Sequence, residues 1–389
     1  MSYNLTQASS QWQTRPADER FWTLEELEKV TLEHRVKSRK RPVRLSTLEV
    51  EPFSWGGNTP NGLSLKGKSG TDAFLTHHAF TDLCRYAQAP ASYLRTLPTK
   101  LVAENLNTGL RRISDEPRED EALDRVLLAR VAPDVSTRKF IEVQAIASKK
   151  YARIWNSDVA SELIKVRDEG HWRVPPGLAC SRHSESRPAT EEDLLKGGGG
   201  FLSVKVGDMI APSGIYASDH DLFVFMVNEE CTIEIGGVPY SRGFFVMNAE
   251  VPGMAFQLVT FLYNHVCGNH IVWDAKQIQS KRVIHIGAGA SIEAQAHLEW
   301  LGTYAEQSPS IELDCIGRAL DTKLGNTQKE VVKVLSDRKI GSQFQIEGAY
   351  ALANEHPEDG HKGANTQWGM VQGLTRLSQE NSYADERVK

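Results

Sequence analysis

Apolar positions along the chain fall into three successive patterns. In the first hundred or so residues they recur at helical spacing. Thr23-Leu-Glu-Glu26 is a capping box, in which the Thr and Glu side chains reciprocally satisfy free backbone N–H groups, and it opens a short helix. Helical pieces follow over 79–87, 91–97 and 99–110, the last with Thr99 as its cap and Val102, Leu106 and Leu110 on one face. Residues 56–70, rich in Gly, Asn, Ser and Pro, read as a loop, and 111–121 as a mixed-charge linker. Over 138–148 the period changes to 2, with Ile141, Val143, Ala145 and Ala147 facing one way along a half-buried strand. Lys149-Lys150-Tyr151 turns the chain through Arg153-Ile154-Trp155 to Asn156, read as the cap of a helix carrying Val159 and Leu163. The polar stretch 181–200 ends in four glycines and reads as a loop.

The next stretch is β. Leu202, Val204 and Val206 alternate, 222–227 is a continuous apolar strand, and 231–235 meets Val238 across Gly236-Gly237, the signal of a tight hairpin. Apolar runs continue over 242–251 and 254–262. Helical spacing returns from 291. Thr327-Gln-Lys-Glu330 is a second capping box, Arg338-Lys339 and Gly341 close its helix, and 366–379 carries Trp368, Val371 and Leu374 on one face. No internal repeat is present. These patterns predict an α+β fold, a mixed antiparallel β core with flanking helices and a helical C-terminal region. The expected division is a mostly helical region with a basic arm over 1–120, a mixed core over 121–285 and a helical region over 286–389.

Composition narrows the function. In 389 residues, 45 Lys and Arg stand against 50 Asp and Glu, a formal net charge of −5. That excludes a uniformly basic nucleic-acid binder but not a locally basic groove, because steering depends on where charges sit. Cys84, Cys180, Cys231, Cys267 and Cys315 are an odd number without a CxxC pair, which points to a reducing compartment rather than a disulfide framework. With no charged-then-apolar leader at the start and no apolar run near the roughly 20 residues that span a bilayer, a soluble cytoplasmic protein is expected.

Nucleotide-binding, zinc-protease and nucleophile-elbow motifs are missing. Gly287-Ala-Gly-Ala290 follows an apolar run and precedes a helix, but it lacks the third glycine of a phosphate-binding turn. His265-Val-Cys267-Gly-Asn-His270 supplies three ligand types where a structural zinc needs four. His77-His78 read as polar residues at a helix start, without a carboxylate partner in register. No metal and no cofactor are expected. The basic segments with interleaved aromatics are more informative. Arg138 and Lys139 open a strand, Lys149 and Lys150 close it, and Tyr151, Arg153 and Trp155 follow. Phosphate contacts beside a stacking face are what single-strand binding uses. The run over 34–44, with Arg35, Lys37, Arg39, Lys40, Arg41 and Arg44, is either a phosphate-binding arm or a solvated loop.

Six segments in order carry a resemblance: WQTRPADERF at 12–21, LTHHAFTDL at 75–83, PASYLRTLP at 90–98, AIASKKYARIW at 145–155, GFFVMNAE at 243–250 and LYNHVCGN at 262–269. Together they resemble the phage and plasmid family known as domain of unknown function 932, over roughly 10–275. The family's pattern is nearer Ser-Asn-Ser-Glu where this chain has Met247-Asn248-Ala249-Glu250, and nearer Cys-(Ser/Thr)-Asn-Gly where it has Cys267-Gly268-Asn269-His270. Ala249 has no hydroxyl, so a role needing a serine there is not open to this chain. The resemblance implies a mobile-element or prophage setting in a bacterial cytoplasm. By analogy of size, mixed α+β core and setting, it implies a likeness to single-strand annealing proteins of the Red beta and Erf type.

Three readings follow. The first is a non-enzymatic single-stranded DNA-binding protein for annealing or recombination, acting as a homo-oligomer through Arg138, Lys139, Lys149, Lys150, Tyr151 and Arg153. The second is an enzyme with a site at Asn248, Glu250, Cys267 and Asn269, with Glu250 as general base. It expects those residues to meet because both motifs end adjacent apolar runs. The third is a host-defence antagonist acting by protein–protein contact.

Overall fold

A computed structural model describes residues 15–54, 62–66, 73–115, 124–131, 141–179, 185–194, 204–218, 220–235, 238–264, 280–355 and 362–387. The first helix, α1 (Leu24–Lys37), opens on the expected capping box: Thr23 accepts from the Glu26 amide, and the Glu26 carboxylate accepts from the Thr23 amide. It buries Leu24, Leu27 and Thr31 and runs without a loop into β1 (Ser38–Arg44). The run over 34–44 is therefore a helix end and a strand, neither free arm nor loop.

Short strands β2 (Val50–Phe53), β3 (Gly62–Leu65) and β4 (Ala73–Leu75) follow. Helices α2 (His77–Tyr86), α3 (Ala91–Leu94) and α4 (Thr99–Asp115) come next, then β5 (Asp124–Val131) and β6 (Ile141–Ser148). The six strands form one sheet in the order β1-β5-β6-β4-β3-β2, with only the β4–β6 pair parallel among the described pairings. One face packs on α2–α4 through Leu83, Leu106, Leu110, Val143 and Ile146. The sheet crosses the boundary expected at 120, and the segment before it holds four strands. β2–β4 are too short to show a period of 2 in sequence, and β1 is a run of cations around Pro42 with one apolar residue.

Helix α5 (Asn156–Gly170) leads to β7 (Trp172–Arg173) and a small sheet of β8 (Gly177–Leu178), β9 (Arg187–Pro188) and β10 (Met209–Ala211). Residues 204–206 lie in a turn region outside any strand, against the alternation seen in sequence, and Leu202 lies outside the described residues. The second large sheet is antiparallel, in the order β11 (Ile215–Ala217), β12 (Leu222–Ile235), β13 (Val238–Asn248), β14 (Phe256–Asn264), β15 (Ser280–Val283). The strands on either side of 236–237 pair as expected, Ile235 with Val238, the two glycines themselves lying outside the described residues. Leu222, Val224 and Met226 face α1 and α5, while Phe223, Phe225 and Val227 are equally buried on the other face. A strand buried on both sides has no polar positions to alternate with, which accounts for the continuous run.

The chain ends in helices α6 (Ala290–Glu306), α7 (Ser310–Asp321), α8 (Gln328–Asp337), α9 (Gln343–Glu355) and α10 (Gln367–Arg387). At α8 the Thr327 side chain caps the Glu330 amide, but the Glu330 carboxylate takes the Asn326 amide, so the expected box closes one residue early. Arg242 of β13 joins this region to the sheet. Its buried guanidinium donates to the carbonyls of Tyr304, Ala305 and Gln307 at the end of α6, and to the Glu312 carboxylate on α7. The last carbonyls of a helix lack the usual i+4 amide, and beyond the Gln307 amide that reaches Tyr304 at 3.4 Å the arginine satisfies the end of α6 from outside. The whole is an α+β fold. No helix among the described residues is long and apolar enough to cross a membrane.

Candidate nucleic-acid interface

The two basic segments that lie a hundred residues apart in sequence meet at one sheet edge. Among the described residues β1 pairs with β5 alone, and β5 runs beside β6, whose end is the Lys149-Lys150 turn. Arg44 pairs with Asp124 in the ladder, and Asp124 accepts from Lys149 at 2.5 Å. The Lys149 ammonium holds the Asp124 carboxyl below its ordinary range. Further along, Lys40 approaches the Tyr151 carbonyl at 3.5 Å, and Arg35 lies over the Trp155 ring at 5.2 Å. Arg39, Lys40, Arg41 and Lys150 are exposed and have no carboxylate partner among the described residues. Cations and Pro42 on an edge strand also prevent its pairing with another sheet. No local sequence signal reports this convergence, because it depends on a strand pairing across some ninety residues.

Beneath the edge the chain from Tyr151 to Asn156 is built into a buried seam between the two large sheets. Here the structure corrects the expected stacking platform. Tyr151 is 8% exposed, packed among Val126, Leu128, Ala145, Ala147 and Val251. Its hydroxyl donates to the Ala249 carbonyl at 3.3 Å, and its ring lies flat on His285 with centroids 5.4 Å apart. Burial pushes the Tyr151 hydroxyl pKa well up. Arg153 is also withdrawn: it faces Glu250 at 3.7 Å, the side chains 9% and 10% exposed, and sits over the Trp155 ring at 4.6 Å. Tyr151 and Arg153 therefore serve the seam and present no face to solvent for a ligand.

Glu250 carries out a helix-capping task. Trp155 holds the N-cap conformation of α5, Asn156 is its first residue, and the Asn156 amide donates to Glu250 Oε1 at 2.8 Å. A carboxylate belongs at that end of a helix. Burial nonetheless raises the Glu250 pKa, against the pull of Arg153, and burial lowers that of Arg153. Asn248 donates to the Ile154 carbonyl and to Asn156 Oδ1, tying the same turn to β13.

His78 closes the seam from the other side. Its Nε2 stands 3.6 Å from Asp82 Oδ2, so the carboxylate partner missed in sequence lies one helical turn on. The ring stacks on His220 at 6.3 Å and is hydrogen-bonded to the Pro252 carbonyl. Burial lowers the His78 pKa and raises that of Asp82, which also accepts from the Ile146 amide.

Arg138, Lys139, Cys267, Asn269 and His270 lie outside the described residues. Of the residues expected to share a site, Asn248, Glu250, Cys267 and Asn269, the structure describes only the first two. β13 and β14 are antiparallel, so their C-terminal ends are opposite: Asn248 ends β13, while Asn264, the last described residue before Cys267, pairs with Tyr240. Eight residues of strand separate Tyr240 from Asn248, about 27 Å at roughly 3.4 Å per residue. Among the described residues no group of three or more His, Cys, Asp or Glu is placed to hold a metal ion. In comparisons with known proteins, no family model, no curated protein and no solved structure matches the chain.

Proposed function

We propose that the protein binds single-stranded DNA through its phosphates, along the edge formed by β1 and the Lys149-Lys150 turn. The observation that carries this reading is the gathering of Arg39, Lys40, Arg41 and Lys150, all exposed and without acidic partners among the described residues, at one edge of a chain whose net charge is −5. Cations left uncompensated in an acidic protein repel one another unless an anion joins them, and a phosphate backbone supplies anions at regular spacing. Annealing or recombination, assembly as a homo-oligomer on the strand, and the mobile-element setting implied by the resemblance to domain of unknown function 932 belong to the same proposal. Binding of this kind asks for position and charge, with no nucleophile.

The test is fluorescence anisotropy with oligo-dT over a salt series. Replacing Arg39, Lys40, Arg41 and Lys150 together by Ala should lower the log–log salt slope by about 2.8, at roughly 0.7 for each lost phosphate contact. A variant with the exposed Lys329, Lys333, Arg338 and Lys339 changed to Ala carries the same net charge and should keep the wild-type slope. Equal slopes in the two variants, or no binding by wild type at low salt, would refute the reading.

A further inference from the structure

Resting on that reading, we infer that Leu32 and Val36, the outward apolar pair at the end of α1, take the bases of the strand whose phosphates the β1 edge holds. Leu32 is 49% and Val36 68% exposed, on the side of α1 away from its buried Leu24, Leu27 and Thr31. Residues four apart on a helix are neighbours, so the two side chains make one continuous surface. α1 passes into β1 with no intervening loop, and Arg39 Nη1 donates to the Val36 carbonyl at 2.8 Å. The first cation of the edge is thereby folded onto the last turn of α1, beside the apolar pair. Lys37 and Glu33 flank it as an ion pair at 3.5 Å, which compensates the carboxylate beside Val36.

Single exposed aliphatic residues are ordinary on protein surfaces. The charge beside this pair selects its occupant. A strip with cations along one side and apolar surface along the other matches an unpaired strand, which carries phosphates on one side and bare base faces on the other. A duplex keeps its base faces inside and gains only from the cations. The aromatic rings nearest the edge do not offer an alternative platform, since Tyr151 is covered by His285 and Trp155 by the guanidiniums of Arg35 and Arg153. Leu32 and Val36 are thus the residues that distinguish unpaired from paired DNA.

The experiment compares wild type, the Leu32→Ser/Val36→Ser double variant and Val36→Trp, each binding oligo-dT and a duplex of equal length over the same salt series. The serine variant should bind oligo-dT about fivefold more weakly at every salt concentration, from loss of aliphatic burial, with the slope and duplex affinity unchanged. Val36→Trp should tighten oligo-dT binding by roughly fivefold or more, because an aromatic face stacks a base better than an aliphatic one. Unchanged oligo-dT affinity in both variants, with a normal salt slope, overturns this inference and leaves the phosphate reading standing. Absence of DNA binding by wild type overturns both. Sedimentation velocity without DNA gives the other refuting outcome: self-association that disappears in the serine variant assigns the pair to a contact between copies of the chain.

Discussion

Arg242→Met is the sharpest test of how the C-terminal helices are held. The arginine is 2% exposed, and its guanidinium satisfies three carbonyls at the end of α6 while pairing with Glu312. Methionine fills a similar volume but donates nothing. The carbonyls of Tyr304 and Gln307, each 2.7 Å from the guanidinium, lose that donor, Tyr304 keeping only the long bond from the Gln307 amide at 3.4 Å, and Glu312, 20% exposed, is left without its cation. Removing one partner from a buried ion pair costs about 3–5 kcal/mol. Unfolding entropy of roughly 2.1 cal/mol/K per residue amounts to about 0.8 kcal/mol/K for a chain of this size, so Tm should fall by about 4–6 °C if the chain melts as one unit. Arg242→Lys keeps the charge but not the planar fork, and should fall between. The assay is thermal melting at neutral pH by circular dichroism. A methionine variant melting within about 1 °C of wild type would show that the carbonyls find other donors and that the clamp contributes little.

Two further outcomes concern the seam. Tyr151→Phe removes only the hydroxyl bonded to Ala249, so stability in urea titration should fall by about 1 kcal/mol with DNA affinity unchanged; weaker DNA binding at unchanged stability would restore Tyr151 to the interface. His285, whose pKa burial lowers, takes up its proton in the unfolded chain first, so its contribution to stability is present above about pH 6.5 and is lost as pH falls towards the folded value. His285→Phe keeps the ring on Tyr151 without the titration, and its Tm should drop less than wild type between pH 7.5 and 5.5. Asp82 and Glu250, raised by burial, act in the opposite sense but are common to both proteins; parallel melting profiles would refute the assignment.

Much of the fold was legible where one face of an element is wet. The Thr23-Glu26 box, the helix over 99–110, the strand ending at Ser148 and the Gly236-Gly237 hairpin all declare themselves by local spacing. The strands β2–β4 did not, because three or four residues are too few to show a period. The interface was legible as two basic segments but not as one surface. Tyr151 shows why: an aromatic after two lysines has the composition of a stacking platform, and only the return of the chain beneath the sheet places it against His285. Glu250 was noticed for its chemistry, but its task as a cap depends on a helix start ninety-four residues earlier. His78 is the opposite case, since Asp82 stands at the fourth position along the same helix, a local spacing that does report the pair.

The turn from Ala249 to Gly253 is held residue by residue from distant parts of the chain. Tyr151 takes Ala249, Asn156 and Arg153 take Glu250, the apolar face of the first sheet takes Val251, and His78 takes Pro252 and lies against Gly253. Those partners are separated from the turn by between roughly ninety and a hundred and seventy residues, so each of these contacts closes a long loop. The entropy of closing such long loops therefore falls on this turn. Once closed, it gives the two sheets a common fate: neither half can fray far without releasing bonds that belong to the other.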